Sequence, residues 1–269
     1  MTEATPTTTG NNDMFTDALH EVASAEDQLR GSLVEEGETQ LNASAVGAVN
    51  AAQADVLRSR AQRERNRGIK NLEKRHEGVA SVVLKVALNE RVIGSAFERW
   101  YAGCENGIFV LGKRAHLFVG DTSAEQLMNQ VIAKIQALEN EAKTDLEGVK
   151  QQLSIYLTEA SIKPQYVKPA SEREVQLRTQ LAHRLLKVVL AQDQILMGLV
   201  QLHWNGEIET AHIEAQENKA KKGLRDLATF LSKTMRGMRS KVEQKAKSAP
   251  APEAGEAANS ASIEQQDAA

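Results

Sequence analysis

Between residues 81 and 88, apolar side chains return at every second position, which is the period of a β-strand. One face of this segment is wholly apolar, with Val82, Leu84, Val86 and Leu88, and the opposite face carries Ser81, Val83, Lys85 and Ala87. Asn89 follows at the position of a helix N-cap, and apolar residues then recur at three- and four-residue spacing up to Gly103, Phe97 and Trp100 among them. The pattern predicts a strand, a cap and an amphipathic helix.

Most of the remaining chain has the periodicity of helices. Apolar stripes predict long helices over residues 121–161, 171–204 and 208–245, and two prolines predict an extended connector over 163–169. Residues 106–120 fit either a short helix or a connector rich in turns, because three glycines interrupt them. Aromatic residues make up only 4% of the chain, a composition typical of long helices. We expect a mainly α protein with one short strand and a bundle or hairpin of helices.

Charge is strongly segregated along the chain although the net charge is only −3. This segregation and the composition of the ends predict five segments: an acidic, largely disordered segment (1–42), a basic helix or arm (43–78), a region with the strand and its helices (79–162), a C-terminal helical region (163–247) and a disordered tail (248–269). Within the first segment, the weak amphipathic spacing of residues 13–33 fits either a peripheral helix or an acidic segment that covers a basic surface.

A single strand leaves its backbone N–H and C=O groups without partners, so it requires a second strand. We expect the second strand from another copy of the chain, paired antiparallel about a two-fold axis. The side chains expected in the dimer core are Val82, Leu84, Val86, Leu88, Phe97 and Trp100. This arrangement is a ribbon-helix-helix-like homodimer, whose ribbon enters the major groove of double-stranded DNA. A core strand within the chain, or a helix, is the alternative explanation.

The outward face of such a ribbon meets base edges. Lys85 is suited to donate to guanine or phosphate, Ser81 has a hydroxyl that donates and accepts, and Val83 is suited to pack on a thymine methyl group. The basic run before the strand is expected to contact phosphates independently of sequence, through Arg63, Arg65, Arg67, Lys70, Lys74 and Arg75. A solvated helix face is the alternative explanation for this run.

Two stretches carry a resemblance to a known family. They are the strand-then-helix stretch 81–103, and the stretch 181–193 with the turn Leu-His-Trp-Asn-Gly at 202–206 that follows it. Over residues 80–235 the chain resembles proteins of integrating conjugative elements and large conjugative plasmids, a family that includes the AcaB-type activators of conjugative transfer. The resemblance implies a DNA-binding dimer that activates transfer genes, with the transcription machinery as a further partner. Residues 106–122 are shorter and more broken by glycine than the family leads one to expect.

Nothing in the sequence favours an enzyme, a cofactor or a metal site. The six histidines have no paired helical spacing, and no phosphate-binding glycine loop, nucleophile elbow or zinc signature is present. The lone cysteine, Cys104, fits a reducing compartment and a place in the core. Because the sequence has neither a targeting signal nor a run of roughly 18 apolar residues, we expect a cytoplasmic protein that does not act on membranes.

A second function also fits the pattern. The long helices at 122–160 and 171–245 are suited to a coiled-coil adaptor or scaffold that binds a protein partner and no DNA. Their apolar stripes are equally well explained as the core of the chain itself.

Overall fold

The structure, a computed structural model, describes residues 10–44, 56, 59–60, 63–64, 66–67, 78–159 and 161–248. It is mainly helical with one two-stranded antiparallel sheet. The elements in chain order are α1 (Gly10–Ser44), β1 (Val82–Leu88), α2 (Arg91–Ala96), a π-helical turn (Phe97–Tyr101), α3 (Ala102–Val119), α4 (Asp121–Tyr156), β2 (Ser171–Leu177), α5 (Gln180–Trp204) and α6 (Thr210–Ser248). The tail at 249–269 and most of the segment 43–78 lie outside the described residues.

The strand at 82–88 is present, but its partner belongs to the same chain. β1 pairs antiparallel with β2, so that Val82 lies opposite Leu177 and Leu88 lies opposite Ser171. The prediction of a single strand paired with a second copy is therefore wrong. The sequence Ser-Glu-Arg-Glu-Val-Gln-Leu of β2 is rich in helix formers, which is why it was assigned to the start of a helix.

The ribbon of β1 and β2 has one face toward the core and one toward solvent. On β1, Val86 and Leu88 are buried and Leu84 is partly buried, whereas Val82 is 59% exposed. Ser81, Val83, Lys85 and Ala87 on the opposite face are all exposed. The predicted faces of β1 are thus confirmed except at Val82, which lies at the open end of the ribbon.

Four of the six residues assigned to a dimer core, Val86, Leu88, Phe97 and Trp100, are buried inside one chain. Trp100 is fully buried, and Phe97 stacks on Tyr101 with ring centroids 4.8 Å apart. Leu88 and Val86 belong to the same core, which continues through α3, α5 and α6. These side chains are removed from water by the helices of their own chain, so the predicted dimer core is corrected to an intrachain core.

Helix α1 corrects the expectation that residues 1–42 are largely disordered. Its apolar side chains are buried in the common core: Ala18, Val22, Ala25 and Leu29. Close packing is possible because α3 has glycine where Leu29 approaches, and a Cβ on Gly103 would lie 2.9 Å from Leu29 Cδ2. Gly107, one turn later, also faces Leu29. The glycines that made 106–120 ambiguous thus lie in or beside a regular helix.

The start of α2 is fixed by a residue distant in sequence. The Asp193 carboxylate accepts hydrogen bonds from the backbone amides of Asn89, at 3.1 Å, and Glu90, at 2.9 Å. The predicted N-cap role of Asn89 is therefore wrong, since its side-chain amide donates to Met197 Sδ instead. An acceptor at the N-terminus of a helix satisfies amides that have no intrahelical partner.

Within the described part of the chain, α5 alone is long and apolar enough to cross a membrane, with a mean hydropathy of 1.4 over its most apolar window. Of that window, 61% is buried inside the protein, including Leu185, Leu196 and Leu202. Packing against the other helices accounts for this composition.

Two glycines on α4 and α5 give a test of the packing between these helices. A Cβ on Gly198 would lie 2.5 Å from Cγ1 of the buried Val149, whereas nothing lies within 4 Å of a Cβ on Gly148. We expect Gly198→Ala to lower the free energy of unfolding by about 1–2 kcal/mol, because the steric cost exceeds the gain in helix propensity. Gly148→Ala, the matched control, should raise it by up to about 1 kcal/mol. Urea unfolding measures both, and equal effects would contradict the described contact.

Candidate nucleic-acid interface

The solvent-facing side of the ribbon is the first candidate surface. Six side chains from the two strands form it, and all are exposed: Val83, Lys85, Ala87, Glu172, Glu174 and Gln176. Cross-strand pairing places Lys85 opposite Glu174 and Val83 opposite Gln176. The structure thus brings two of the predicted base-contacting residues, Val83 and Lys85, onto one face. Ser81, just before β1, is exposed beside them.

The prediction from β1 alone gave the outward face one charged residue, Lys85, and β2 adds two glutamates to it. Lys85 Nζ lies 3.9 Å from Glu174 Oε1, with 80% and 65% of the two side chains exposed. An ion pair this exposed contributes little to stability, so Lys85 is readily available to another acceptor. Two carboxylates, Glu172 and Glu174, accompany the single lysine. The ribbon itself is therefore not a basic surface, and phosphate attraction has to come from elsewhere.

The ribbon is held on the helices by polar contacts as well as by its apolar face. Glu98 in the π-helical turn accepts a hydrogen bond from Ser171 Oγ at 2.8 Å and pairs with Arg173 at 3.3 Å. Gly94 approaches the same end of β2, where an added Cβ would lie 3.2 Å from Ser171 Cβ. Beside β2, a cleft of about 430 Å³ separates the strand from the π-helical turn. A π-helical turn of this kind is frequently found at functional sites.

A buried polar network ties the end of β2 to two helices. Arg178, directly after β2, donates from Nη1 to Glu105 Oε2 at 2.7 Å and to Asn106 Oδ1 at 2.5 Å. Asn106 in turn donates to Gln28 Oε1 of α1 at 2.6 Å. Burial raises the pKa of Glu105, and the ion pair with Arg178 opposes that rise. The network connects the ribbon to α3 and α1 through side chains that have little access to water.

A second candidate surface lies where Arg67, from the basic run before β1, comes near two arginines of α6. Glu26 of α1 pairs with Arg236 at 3.4 Å and with Arg239 at 3.7 Å. Burial and the nearby carboxylates of Glu26 and Glu64 raise the pKa of Asp27, while Arg239 and Arg67 lower it. Arg67 and Arg239 therefore lie close to the same turn of α1. We call Arg67, Arg236 and Arg239 the basic cluster.

The structure describes only some of the other residues that are predicted to contact phosphates. Arg63 is exposed, and its Nε donates to the Ser59 carbonyl oxygen at 3.3 Å. Arg65, Lys70, Lys74 and Arg75 lie outside the described residues. Arg236 and Arg239 are not among the contact residues predicted from the sequence, although ten of the residues at 219–247 on their helix are basic.

The ribbon and the basic cluster are joined through α1. Gln28 of α1 accepts a hydrogen bond from Asn106, and Asn106 also accepts one from Arg178 at the end of β2. Glu26, two residues before Gln28, forms ion pairs with the basic cluster. The same turn of α1 therefore contacts the basic cluster and is linked to the end of β2 through Asn106.

The described residues give little support for a reactive thiol or a metal site. Cys104 is buried, which raises the pKa of its thiol to about 12 and keeps it protonated. No group of three or more His, Cys, Asp or Glu side chains in the part of the chain that the structure describes is arranged to hold a metal ion.

Comparison with known proteins supports the fold more than the function. No protein-family model matches the chain. None of the curated proteins matches it either. Among solved structures, the chain is similar to the crystal structure of selenomethionine-containing AcaB from uropathogenic E. coli, with a TM-score of 0.55 and 12% sequence identity. The similarity covers 62% of this chain and 86% of that one.

The chain shares its fold with AcaB. At 12% identity the likeness shows the fold alone. It agrees with the resemblance seen in the stretches 81–103 and 181–206 of the sequence.

Proposed function

We propose that the protein is a sequence-specific DNA-binding regulator that places its β1–β2 ribbon in the major groove. The observation that carries this proposal is the exposed outward face of a two-stranded antiparallel ribbon, anchored on a helical core. A major groove about 12 Å wide admits such a ribbon. β-Ribbon readers of this kind contact base edges with the outward side chains of their strands.

The outward side chains supply a set of contacts that distinguishes bases. Lys85 donates to guanine, Gln176 is suited to a bidentate contact with adenine, and Val83 packs on the methyl group of thymine. The carboxylates of Glu172 and Glu174 accept from the amino group of cytosine, which gives the acidic side of the ribbon a role. Gln176, opposite Val83, is an addition to the residues selected from sequence.

In this proposal, cations outside the ribbon supply the phosphate contacts. The basic cluster and Arg63 provide charge that is independent of sequence, and the basic run at 63–75 extends it. Because the ribbon face is itself slightly acidic, these cations supply the salt-dependent part of the affinity in this proposal.

Regulation of conjugative transfer, activation in particular, is the biological role that the likeness to AcaB favours. β1 is followed along the chain by two helices, α2 and α3. In this proposal each chain completes its own ribbon, and a homodimer sets the spacing of two half-sites. The transcription machinery is the further partner that an activator requires.

The adaptor function is not favoured. The apolar stripes on which it rests are buried within the chain, with Val131, Ile135 and Val149 of α4 in the common core. α6 likewise buries Leu224, Leu227 and Leu231. Residues that pack inside their own chain are not available as the seam of a coiled coil with a partner.

Substituting Lys85 tests the ribbon. We expect Lys85→Ala to weaken binding to the specific DNA site by about tenfold, because one base contact is lost, and to leave non-specific binding almost unchanged. Band-shift titrations of a footprinted site and a scrambled duplex measure both. The matched control is Lys143→Ala, which removes an exposed lysine of α4 that pairs only with Glu147. Wild-type affinity in Lys85→Ala would exclude this ribbon face as the reading surface.

The companion experiment concerns the phosphate contacts. Neutralising Arg63, Arg65 and Arg67 to Gln should weaken binding to both duplexes alike, because phosphates carry no sequence information. A plot of log affinity against log salt concentration should flatten by about 0.9 for each lost contact. An unchanged slope would show that these arginines do not touch the backbone.

A further inference from the structure

Four large apolar side chains are exposed where α4 and α5 end. Ile155 and Tyr156 are the last two residues of α4, Trp204 is the last residue of α5, and Ile162 follows α4 in the connector. Their exposed fractions are 73%, 52%, 61% and 53%, in that order. The side chain of Asn205 forms two hydrogen bonds of 2.9 Å with the backbone of Ile162, so the connector is held beside the end of α5. We call the four apolar residues the end patch.

The end patch lies at the opposite end of α5 from the open end of the ribbon. α4 and α5 run parallel, since Glu139 bonds Arg184 and, further along both helices, Val149 lies against Gly198. The last residues of the two helices therefore lie at the same end of the molecule. Leu177, at the open end of the ribbon, comes just before the first turn of α5, and the 25 residues of α5 span about 37 Å. A partner on the end patch would thus leave that end of the ribbon uncovered.

The area of the end patch is that of a protein–protein contact. Since an aromatic side chain has about 150–250 Å² of surface, Tyr156 and Trp204 expose about 200 Å² together, and the two isoleucines bring the total to roughly 400 Å². An interface of standard size buries about 800 Å² on each partner, of which about 60% is non-polar. The end patch therefore supplies most of the apolar area that each side of such an interface needs.

The charges beside the end patch favour a protein as the partner. The segments that follow α4 and α5, residues 157–170 and 205–209, carry both signs, and all five charged side chains are exposed: Glu159, Lys163, Lys168, Glu207 and Glu209. This balance gives no excess of positive charge to attract a nucleic acid or an anionic membrane. In two copies related by a two-fold axis, each side of the contact has both signs, so that a lysine of one copy can face an acid of the other.

We propose that the end patch is the surface through which two copies of this chain form a homodimer. Each chain completes its own ribbon, so the pairing of β1 with β2 does not join two copies, and the dimer forms through another surface. The contact is isologous, with the end patch of one copy against the end patch of the other. This inference rests on the homodimer in the proposed function, and it adds the residues that hold the two copies together.

The test measures the mass of the full-length protein in solution without DNA. Sedimentation equilibrium across a concentration series should approach twice the chain mass of 29.4 kDa. Ile155→Lys and Trp204→Lys should each raise the dissociation constant of the dimer by about thirtyfold or more, because each places a charge in an apolar contact. Lysine is favourable in the last turn of a helix, so the folded monomer keeps its stability, which thermal melting verifies.

The matched control is Val82→Lys, since Val82 is 59% exposed but lies at the open end of the ribbon. The dissociation constant of this variant should change by less than about twofold. Cross-linking gives a second measurement that does not depend on weakening the contact. Cys104 is buried and is the only cysteine of the chain, so a cysteine introduced at an exposed position is the one accessible thiol. A bismaleimide should join two copies of Ile162→Cys and should not join two copies of Val82→Cys.

Three results would overturn the inference. The first is a monomeric mass at every concentration, which would leave the end patch to a different protein. The second is a dimer that Val82→Lys dissociates and the two end-patch variants do not. The third is a monomer that binds phosphatidylglycerol vesicles and loses them in Trp204→Lys, which would make the end patch a membrane contact.

Band shifts separate this inference from the proposed DNA binding. Sequence-specific binding by a protein that is monomeric in solution would contradict the dimer contact and support the ribbon. A dimer that the end-patch variants dissociate, but that shifts no duplex, would support the dimer contact and contradict the proposed DNA binding.

Discussion

Replacing Arg178 with Met is expected to lower the free energy of unfolding by about 3 kcal/mol. Only 9% of the Arg178 side chain and 5% of the Glu105 side chain are exposed, so the ion pair is almost fully removed from water. Removing the arginine leaves the carboxylate of Glu105 buried without its charge partner, and it also removes the donor to Asn106. The loss is therefore the cost of an uncompensated buried charge and is larger than the value of the pair itself.

A double-mutant cycle measures this coupling. Glu105→Leu alone should lower the free energy of unfolding by a similar amount, because it leaves the guanidinium of Arg178 buried without its charge partner. The double variant Arg178→Met with Glu105→Leu should lose less than the sum of the two, because no charge remains buried. Exposed Lys143 and Glu147 form the reference pair, for which the same cycle should give less than about 0.5 kcal/mol. Additive losses at 105 and 178 would contradict the described network.

Leu29→Ala is expected to lower the free energy of unfolding by about 3 kcal/mol, within the range for leucines in well-packed cores. Leu29 is fully buried and lies against Gly103 and Gly107, so the cavity left by its side chain cannot be filled by a shift of neighbouring side chains on α3. Urea unfolding followed by circular dichroism measures the effect. The neighbouring Arg30 is exposed, and Arg30→Ala should change stability by less than about 0.5 kcal/mol.

The same pair of variants decides whether α1 belongs to the core. If Leu29→Ala and Arg30→Ala behave alike, α1 does not contribute to the cooperative unit, and the expectation of a largely disordered N-terminal segment is restored. Unequal effects of the expected size place the helix in the folded core.

The strand β1 was predictable because its alternation of apolar and other side chains is a local signal. β2 was not, since four of its seven residues are Glu, Arg or Gln, and only Val175 and Leu177 carry its apolar side. What makes it a strand is pairing with β1, a contact between distant parts of the chain. Tertiary pairing of this kind overrides the local preference for helix.

The sequence indicated that α1 is a helix but did not indicate which residues it contacts. The spacing of Val22 and Leu29 indicated a helix, and one of the two interpretations was an acidic segment over a basic surface. The structure supports that interpretation, because Glu21 pairs with Arg114 and Glu26 pairs with Arg236 and Arg239. Sequence alone does not reveal these pairs, since their members lie far apart along the chain.

Of the candidate site, the sequence placed Ser81, Val83 and Lys85 correctly on an exposed side. It missed Gln176, because the residues of a strand that is not recognised cannot be assigned to a face.

The two halves of the ribbon are separated along the chain by all of α2, α3 and α4. Such a pairing closes a long loop, and closing a long loop has an entropic cost that grows with its length. During synthesis, β1 leaves the ribosome well before β2 exists. A truncated product that ends within α4 therefore has a first strand and no second, so the ribbon cannot form in it.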